Sequence, residues 1–296
     1  MCGIVGLFIK DLALEPELGR LTAGMLETMT DRGPDSAGFA VYGAGKDGQT
    51  KFTLRGGSAE AIEETAEKIK SAFPGAGAML HDTHAVISLP AAYNTRLDRW
   101  LTDESPDTEI VGRGARMEIF KEVGLPADVA SRFGLATMRG THAIGHTRMA
   151  TESAVTTDGA HPYSTGQDQC LVHNGSLSNH NNLRRSLRLE GIPFETENDT
   201  EVAAGYLTWR MQEGLSLGDA LEVGLNDLDG FYTFVVGTEN GFGVLRDGIA
   251  CKPAVMAETD QYVAFGSEYR VLADLPGIGQ ARIWEPEPAT VYFWER

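Results

Sequence analysis

The second residue already opens a strand. Residues 2–10 read CGIVGLFIK, apolar and β-branched with glycine at positions 3 and 6. Such a run predicts a buried β-strand. Chain ends ordinarily fray, so a strand buried from its start must be enclosed by later parts of the chain. No positive region precedes the run, which predicts that it is not a secretory signal. No stretch of about 18 apolar residues exists, so no membrane partner is expected.

Later segments can supply that enclosure. A helix is predicted over 16–29, with Leu18, Leu21, Met25, Leu26 and Met29 on one face. A turn-rich stretch, 31–38, leads into a strand at Phe39–Tyr42, and Gly45–Gln49 reads as a hairpin turn. Residues 58–138 are less regular. They suggest an amphipathic helix at 59–73, a strand at 85–89, a charged surface excursion at 96–110 and a short helix opened by Pro126. Strands are expected at 142–148 and 170–173. Helices are expected at 178–189, from Asp199 to Gln212, and at 216–225. From Gly230 the sequence reads as consecutive hairpins, 231–237, 241–246, 250–257 and 262–265. Strand-rich blocks on either side of helices predict an α+β fold with two antiparallel sheets between helical layers.

Charge limits the partners. Lys and Arg number 25 against 42 Asp and Glu, a formal net charge of −17, and no basic run is present. A nucleic-acid partner is not expected, and the acidity reads as a solvated surface. The three cysteines, Cys2, Cys170 and Cys251, make no disulfide framework and suit a reducing cytoplasm. Cys170 and Cys251 read as core. The histidines at 81, 84, 146 and 173 lack the spacing of a metal site, so neither metal nor cofactor is expected.

Cys2 invites a different reading. Its side chain is small, so Met1 is expected to be removed. The new first residue would carry a thiol and a free α-amine, whose reference pKa of about 8 lets it act as the thiol's own base. By itself Cys2 reads more readily as a small core hydrophobe. The balance shifts with three further clusters: Arg32-Gly33-Pro34-Asp35-Ser36-Ala37-Gly38, Gly145-His146-Thr147-Arg148-Met149-Ala150-Thr151, and His173-Asn174-Gly175 followed by Asn198-Asp199-Thr200-Glu201.

Taken in order, MCGIVG, RGPDSAG, GHTRMAT, HNG and NDTE resemble the glutaminase domain of the class II glutamine amidotransferases, which are N-terminal nucleophile hydrolases. The resemblance covers about two-thirds of the chain and implies a four-layer αββα sandwich, here one domain over 2–296 with an insertion at about 58–138. It implies Cys2 as nucleophile, Asn174 and Gly175 as oxyanion hole, and Arg32 as the cation beside the thiol. Arg148 resembles the arginine that pairs with the substrate α-carboxylate, and Asp199 the acid that holds its α-ammonium. Thr151 either reaches the α-carboxylate or shapes the loop. Plainer readings stand beside these: an ion pair for Arg148, a helix cap for Asp199, a tight turn for Asn174-Gly175. His161-Pro162 is taken as structural.

The substrate so implied is L-glutamine, hydrolysed to glutamate and ammonia. In the family the ammonia passes through a channel to a second active site, and no synthase domain follows here. The chain therefore resembles the stand-alone glutaminase-like subunits of split glutamate-synthase-like enzymes, N-methylglutamate synthase among them. A separate synthase subunit is the expected partner. A non-catalytic scaffold that keeps the glutamine-binding architecture is the competing reading.

Overall fold

The computed structural model describes residues 2–150 and 154–296. The opening strand, Gly3–Ile9, is buried along its whole length. It lies in the middle of a seven-stranded antiparallel sheet. In order across the sheet stand Arg282–Trp284, Val255–Glu258, Tyr262–Gly266, Gly3–Ile9, His142–Arg148, Ser36–Tyr42 and Met117–Val123. Successive side chains of a strand point to opposite faces, and here both faces are covered. Val5, Leu7 and Ile9 join a core with Leu18, Leu21, Met25 and Leu26 of the helix Leu18–Thr28. Ile4 and Phe8 face the other way, toward a second sheet. Gly6 sits in that row, and a Cβ there would lie 2.8 Å from the Phe242 ring. The glycine lets the two sheets close.

The second sheet runs Thr290–Glu295, Gly241–Arg246, Gly230–Gly237, Gln169–Leu177 and Tyr163–Gly166, again antiparallel. Cys170, Val172, Val235, Phe242 and Val244 pack toward the first sheet. Leu171, Leu177, Tyr232, Phe234, Val236 and Leu245 pack outward under the helices Asp199–Gln212 and Leu217–Asp227. Helix, sheet, sheet and helix make the four-layer αββα sandwich.

A third sheet stands beside the other two. Its strands are Gly77–His81, His84–Pro90, Gln49–Arg55 and Glu109–Gly114. With the helices Ala59–Ala72 and Asn94–Glu104 it encloses its own core, including Phe52, Ile62, Ile69, Phe73, Ile87, Leu97 and Leu101. Within the stretch 58–138, residues up to Gly114 belong to this unit. Met117–Val123 is the edge strand of the first sheet, and Val129, Ala130 and Phe133 of the following segment pack in the first sheet's outer core.

Several local expectations are corrected. No hairpin joins Ser36–Tyr42 to Gln49–Arg55, because both sides of the first strand are taken by Met117–Val123 and His142–Arg148. The expected surface excursion at 96–110 is helix and strand, with Leu97 and Leu101 one turn apart and buried beneath charged neighbours. The hairpin series also breaks. Gly241–Arg246 belongs to the second sheet and Val255–Glu258 to the first. Arg246 fastens the crossing by donating to the carbonyls of Pro286, Ala250 and Lys252 at 2.6, 2.8 and 3.1 Å. Cys170 is core, whereas Cys251 is exposed. No helix among the described residues is long and apolar enough to cross a membrane.

Candidate active site

Cys2 continues the row of Ile4, Gly6 and Phe8 that faces the gap between the two main sheets, and it is half-buried. Its backbone carbonyl is gripped from two directions. Arg32 Nε donates to it at 3.1 Å, and Asn174 Nδ2 donates to it at 3.1 Å. One grip comes from the turn after the first helix and the other from the facing sheet. The Cys2 thiol lies 3.9 Å from the carbonyl oxygen of Met149.

Arg32 is itself held. Its Nη1 donates to Glu268 Oε1 at 2.6 Å, and Glu268 also pairs with Arg270 at 2.7 Å. The Arg32 hydrogen bond, with help from Arg270, outweighs burial and keeps the Glu268 carboxyl below the usual carboxylate range. Glu268 carries no motif that marks it in the sequence. It follows Tyr262–Gly266, whose neighbour Ser267 is tied to the opening strand by Ile4 N–H donating to Ser267 Oγ at 2.9 Å. Strand pairing thus carries Glu268 to Arg32 across 236 positions.

Arg148 ends the strand His142–Arg148 and is almost fully buried, with Nη1 donating to Ala154 O at 3.3 Å. The backbone at Gly33 passes so close to Thr147 and Arg148 that a Cβ would lie 2.3 Å from the Thr147 carbonyl carbon. Asp35 secures the segment beyond. Its N–H donates to Arg148 O at 3.1 Å, and its carboxylate accepts from Ala150 N–H at 2.8 Å. Thr151 lies outside the described residues.

Asn174 and Gly175 sit within the strand Gln169–Leu177, not in an isolated turn. Gly175 has φ +145°, and a Cβ there would be 2.0 Å from the Phe231 carbonyl oxygen. Only glycine fits. Asp199 begins the helix Asp199–Gln212, which is capped by Asn198 accepting from Thr200 N–H at 2.9 Å. The Asp199 carboxylate accepts from Leu177 N–H at 2.9 Å and lies 3.6 Å from His173 Nδ1. Burial pushes its pKa up, but hydrogen bonds and charge from His173 and the Leu177 N–H together hold it below the usual range. A carboxylate kept ionised in a half-dry site suits an ammonium partner.

Behind Asp199 stands a network whose members the sequence names but does not connect. Thr200 Oγ1 meets His161 Nε2 at 2.7 Å and His173 Nδ1 at 3.0 Å, and the His146 ring centre lies 4.0 Å from that of His161. The bond between His161 and Pro162 is cis. Burial drives the His146 pKa down to about 3 and that of His161 downward too. The His146 and His161 rings are therefore neutral at neutral pH, His161 bonded to Thr200 and His146 packed against it.

A thiol, a side-chain amide donor, a buried guanidinium and an ionised carboxylate are groups suited to acyl transfer from an amino-acid amide. Comparison with known proteins points the same way. The glutamine amidotransferase-like protein GlxB of Rhizobium meliloti (strain 1021) is 62% identical over 296 residues, covering all of this chain and 98% of that protein. The chain belongs to the class II glutamine amidotransferases. A Methanothermobacter thermautotrophicus protein that carries a glutamine amidotransferase name is 34% identical to the amidotransferase over 99% of both chains. The family profile described as glutamine amidotransferase domain matches residues 146–274. The fold is shared with glutamine phosphoribosylpyrophosphate amidotransferase from B. subtilis, at a TM-score of 0.63 and 19% identity. That structure covers 99% of the amidotransferase, which in turn spans only 47% of the longer chain.

Proposed function

We propose that this chain is a glutaminase subunit, one domain over 2–296 with the third-sheet region as an insertion, that hydrolyses L-glutamine through a Cys2 thioester. The observation that carries the reading is the double grip on the Cys2 carbonyl by Arg32 and Asn174. It fixes the head of the chain at the meeting of the two sheets, where a thiol and an α-amine would stand together once Met1 is removed.

The reaction follows from those groups. Arg148 pairs with the glutamine α-carboxylate and Asp199 with its α-ammonium. The α-amine of Cys2 takes the thiol proton, and the thiolate attacks the side-chain amide carbon. The developing oxyanion is met by the Asn174 amide and the Gly175 N–H, each donor worth about 3 kcal/mol of barrier. The amine returns its proton to the departing nitrogen, so ammonia leaves as the C–N bond breaks. Water then attacks the thioester carbon, the C–S bond breaks, and glutamate and the thiol are released.

The ammonia is destined for a separate synthase subunit of the glutamate-synthase or N-methylglutamate-synthase kind, in the cytoplasm. The insertion is the candidate docking surface. The test is glutamate release from glutamine, with intact-protein mass measured on the same preparation. Chain lacking Met1 is expected to turn over, and Cys2→Ala to lose at least about a thousandfold. Equal turnover by both, or an active form that retains Met1, overturns the mechanism.

A further inference from the structure

The edge strands of all three sheets converge on one cavity. Glu109–Gly114 is an edge of the third sheet, Met117–Val123 of the first and Tyr163–Gly166 of the second. Between them, bounded also by the helix Asn94–Glu104 and by residues 193–196, lies a space of about 500 Å³. That is the size of small-molecule sites. Cys2, Arg32, Arg148, Asn174 and Asp199 do not line it.

Most charges on its walls are already matched. Arg113 pairs with Asp98 at 3.0 Å, and Arg55 pairs with both Glu109 and Asp158. The Glu201 carboxylate accepts from the N–H groups of Glu195 and Thr196 and from the Thr196 hydroxyl, at 2.7–2.8 Å. Two groups are left over. Lys121 is 9% exposed, donates to Ala160 O at 3.1 Å and lies 4.6 Å from the Tyr163 ring centre. No carboxylate of the described residues stands within ion-pair distance of it. Glu195 is the converse, a carboxylate with no hydrogen-bond or ion-pair partner among the described residues. Burial pulls the Lys121 pKa down to about 8, while Glu195, exposed at the rim, is pushed up by desolvation on its cavity side and by Glu201 beside it. Both groups therefore gain from an opposite charge placed beside them.

A lone anion would satisfy Lys121 and deepen the repulsion at Glu195. A lone cation would do the reverse. We propose that this cavity binds a small zwitterion of the amino-acid class, its carboxylate toward Lys121 and its ammonium toward Glu195. The site borders the one around Cys2 through a shared segment. Lys121 holds Ala160 O and Tyr163 holds Asp158 O, while Arg148 holds Ala154 O on the same loop.

The test is isothermal titration of the full chain, Lys121→Met and Glu195→Gln with glycine, β-alanine and L-glutamate. Propionate and propylamine serve as single-charge controls. At least one zwitterion is expected to bind, with affinity falling by about tenfold or more in each variant, and with neither control binding comparably. Amino acids held only at the Cys2 site would bind all three proteins alike, which overturns the proposal. So does equal affinity for propionate or propylamine, or no zwitterion binding up to about 10 mM. Should Lys121→Met fail to fold, Glu195→Gln decides, because that side chain is exposed.

Discussion

Arg32 is fixed at both ends, by the Cys2 carbonyl on one side and Glu268 on the other. Glu268 touches no reacting atom in this arrangement, so its part is to aim the guanidinium. Glu268→Ala is expected to lower kcat for glutamine hydrolysis by about tenfold while KM stays within about twofold. Steady-state kinetics separates the two, and a change confined to KM would contradict the assignment. Gly175 is constrained more severely. An alanine there must hold φ near +145° and push its Cβ into the Phe231 carbonyl. Gly175→Ala is expected to cost about 1–3 kcal/mol from strain alone, to lower Tm by several degrees, and to displace Asn174 enough to abolish glutamate release. Thermal unfolding and the glutamate assay read the two effects.

Helices and sheets carried their signals differently. The helix Ala59–Ala72 was legible because Ile62, Ala66 and Ile69 recur at helical spacing and Ser58 caps it. The strand Met117–Val123 was not. Glu118 and Lys121 interrupt its apolar pattern, yet Glu118 is paired with Lys51 and Lys121 is folded under Tyr163. Burial of charge through partners distant in sequence leaves no local trace. Sheet membership was hidden for the same reason. The turn at Asp47-Gly48 is real, but the strands that flank it pair elsewhere, and register is set by distant neighbours. Motif residues such as Arg32 and Asn174 stand out in the sequence, whereas Glu268 acquires meaning only from what the sheets bring beside it. Asn198 joins both levels, as cap of the helix that starts with Asp199. Asn198→Ala is expected to cost about 1 kcal/mol of stability and to raise KM for glutamine more than it lowers kcat. Denaturant unfolding and kinetics check each part.

For the whole molecule, buried histidines set the response to acid. Burial lowers His84, His142 and His146 to about 3, against about 6.5 in the unfolded chain. Below pH 6.5 the unfolded state therefore binds more protons than the folded one. The stability these rings contribute is complete above pH 6.5 and is lost as pH falls toward 3, at up to about 1.4 kcal/mol per unit for each. The urea midpoint is expected to drop between pH 7 and pH 5, before carboxylates such as Glu268 begin to protonate. His84→Phe, set against Phe120 and Phe133, is expected to flatten the profile. A midpoint unchanged over that interval in the parent chain would contradict the assignment. The position of the opening strand also has a consequence during synthesis. Gly3–Ile9 pairs with Tyr262–Gly266, and ribosomes add about 5–20 residues per second. The first strand to emerge thus waits on the order of 10–50 s for a neighbour made near the end. Its other neighbour, His142–Arg148, and the Asn174 that grips the Cys2 carbonyl are made earlier, and until they too have emerged the head of the nascent chain stays open to the peptidase that would trim Met1.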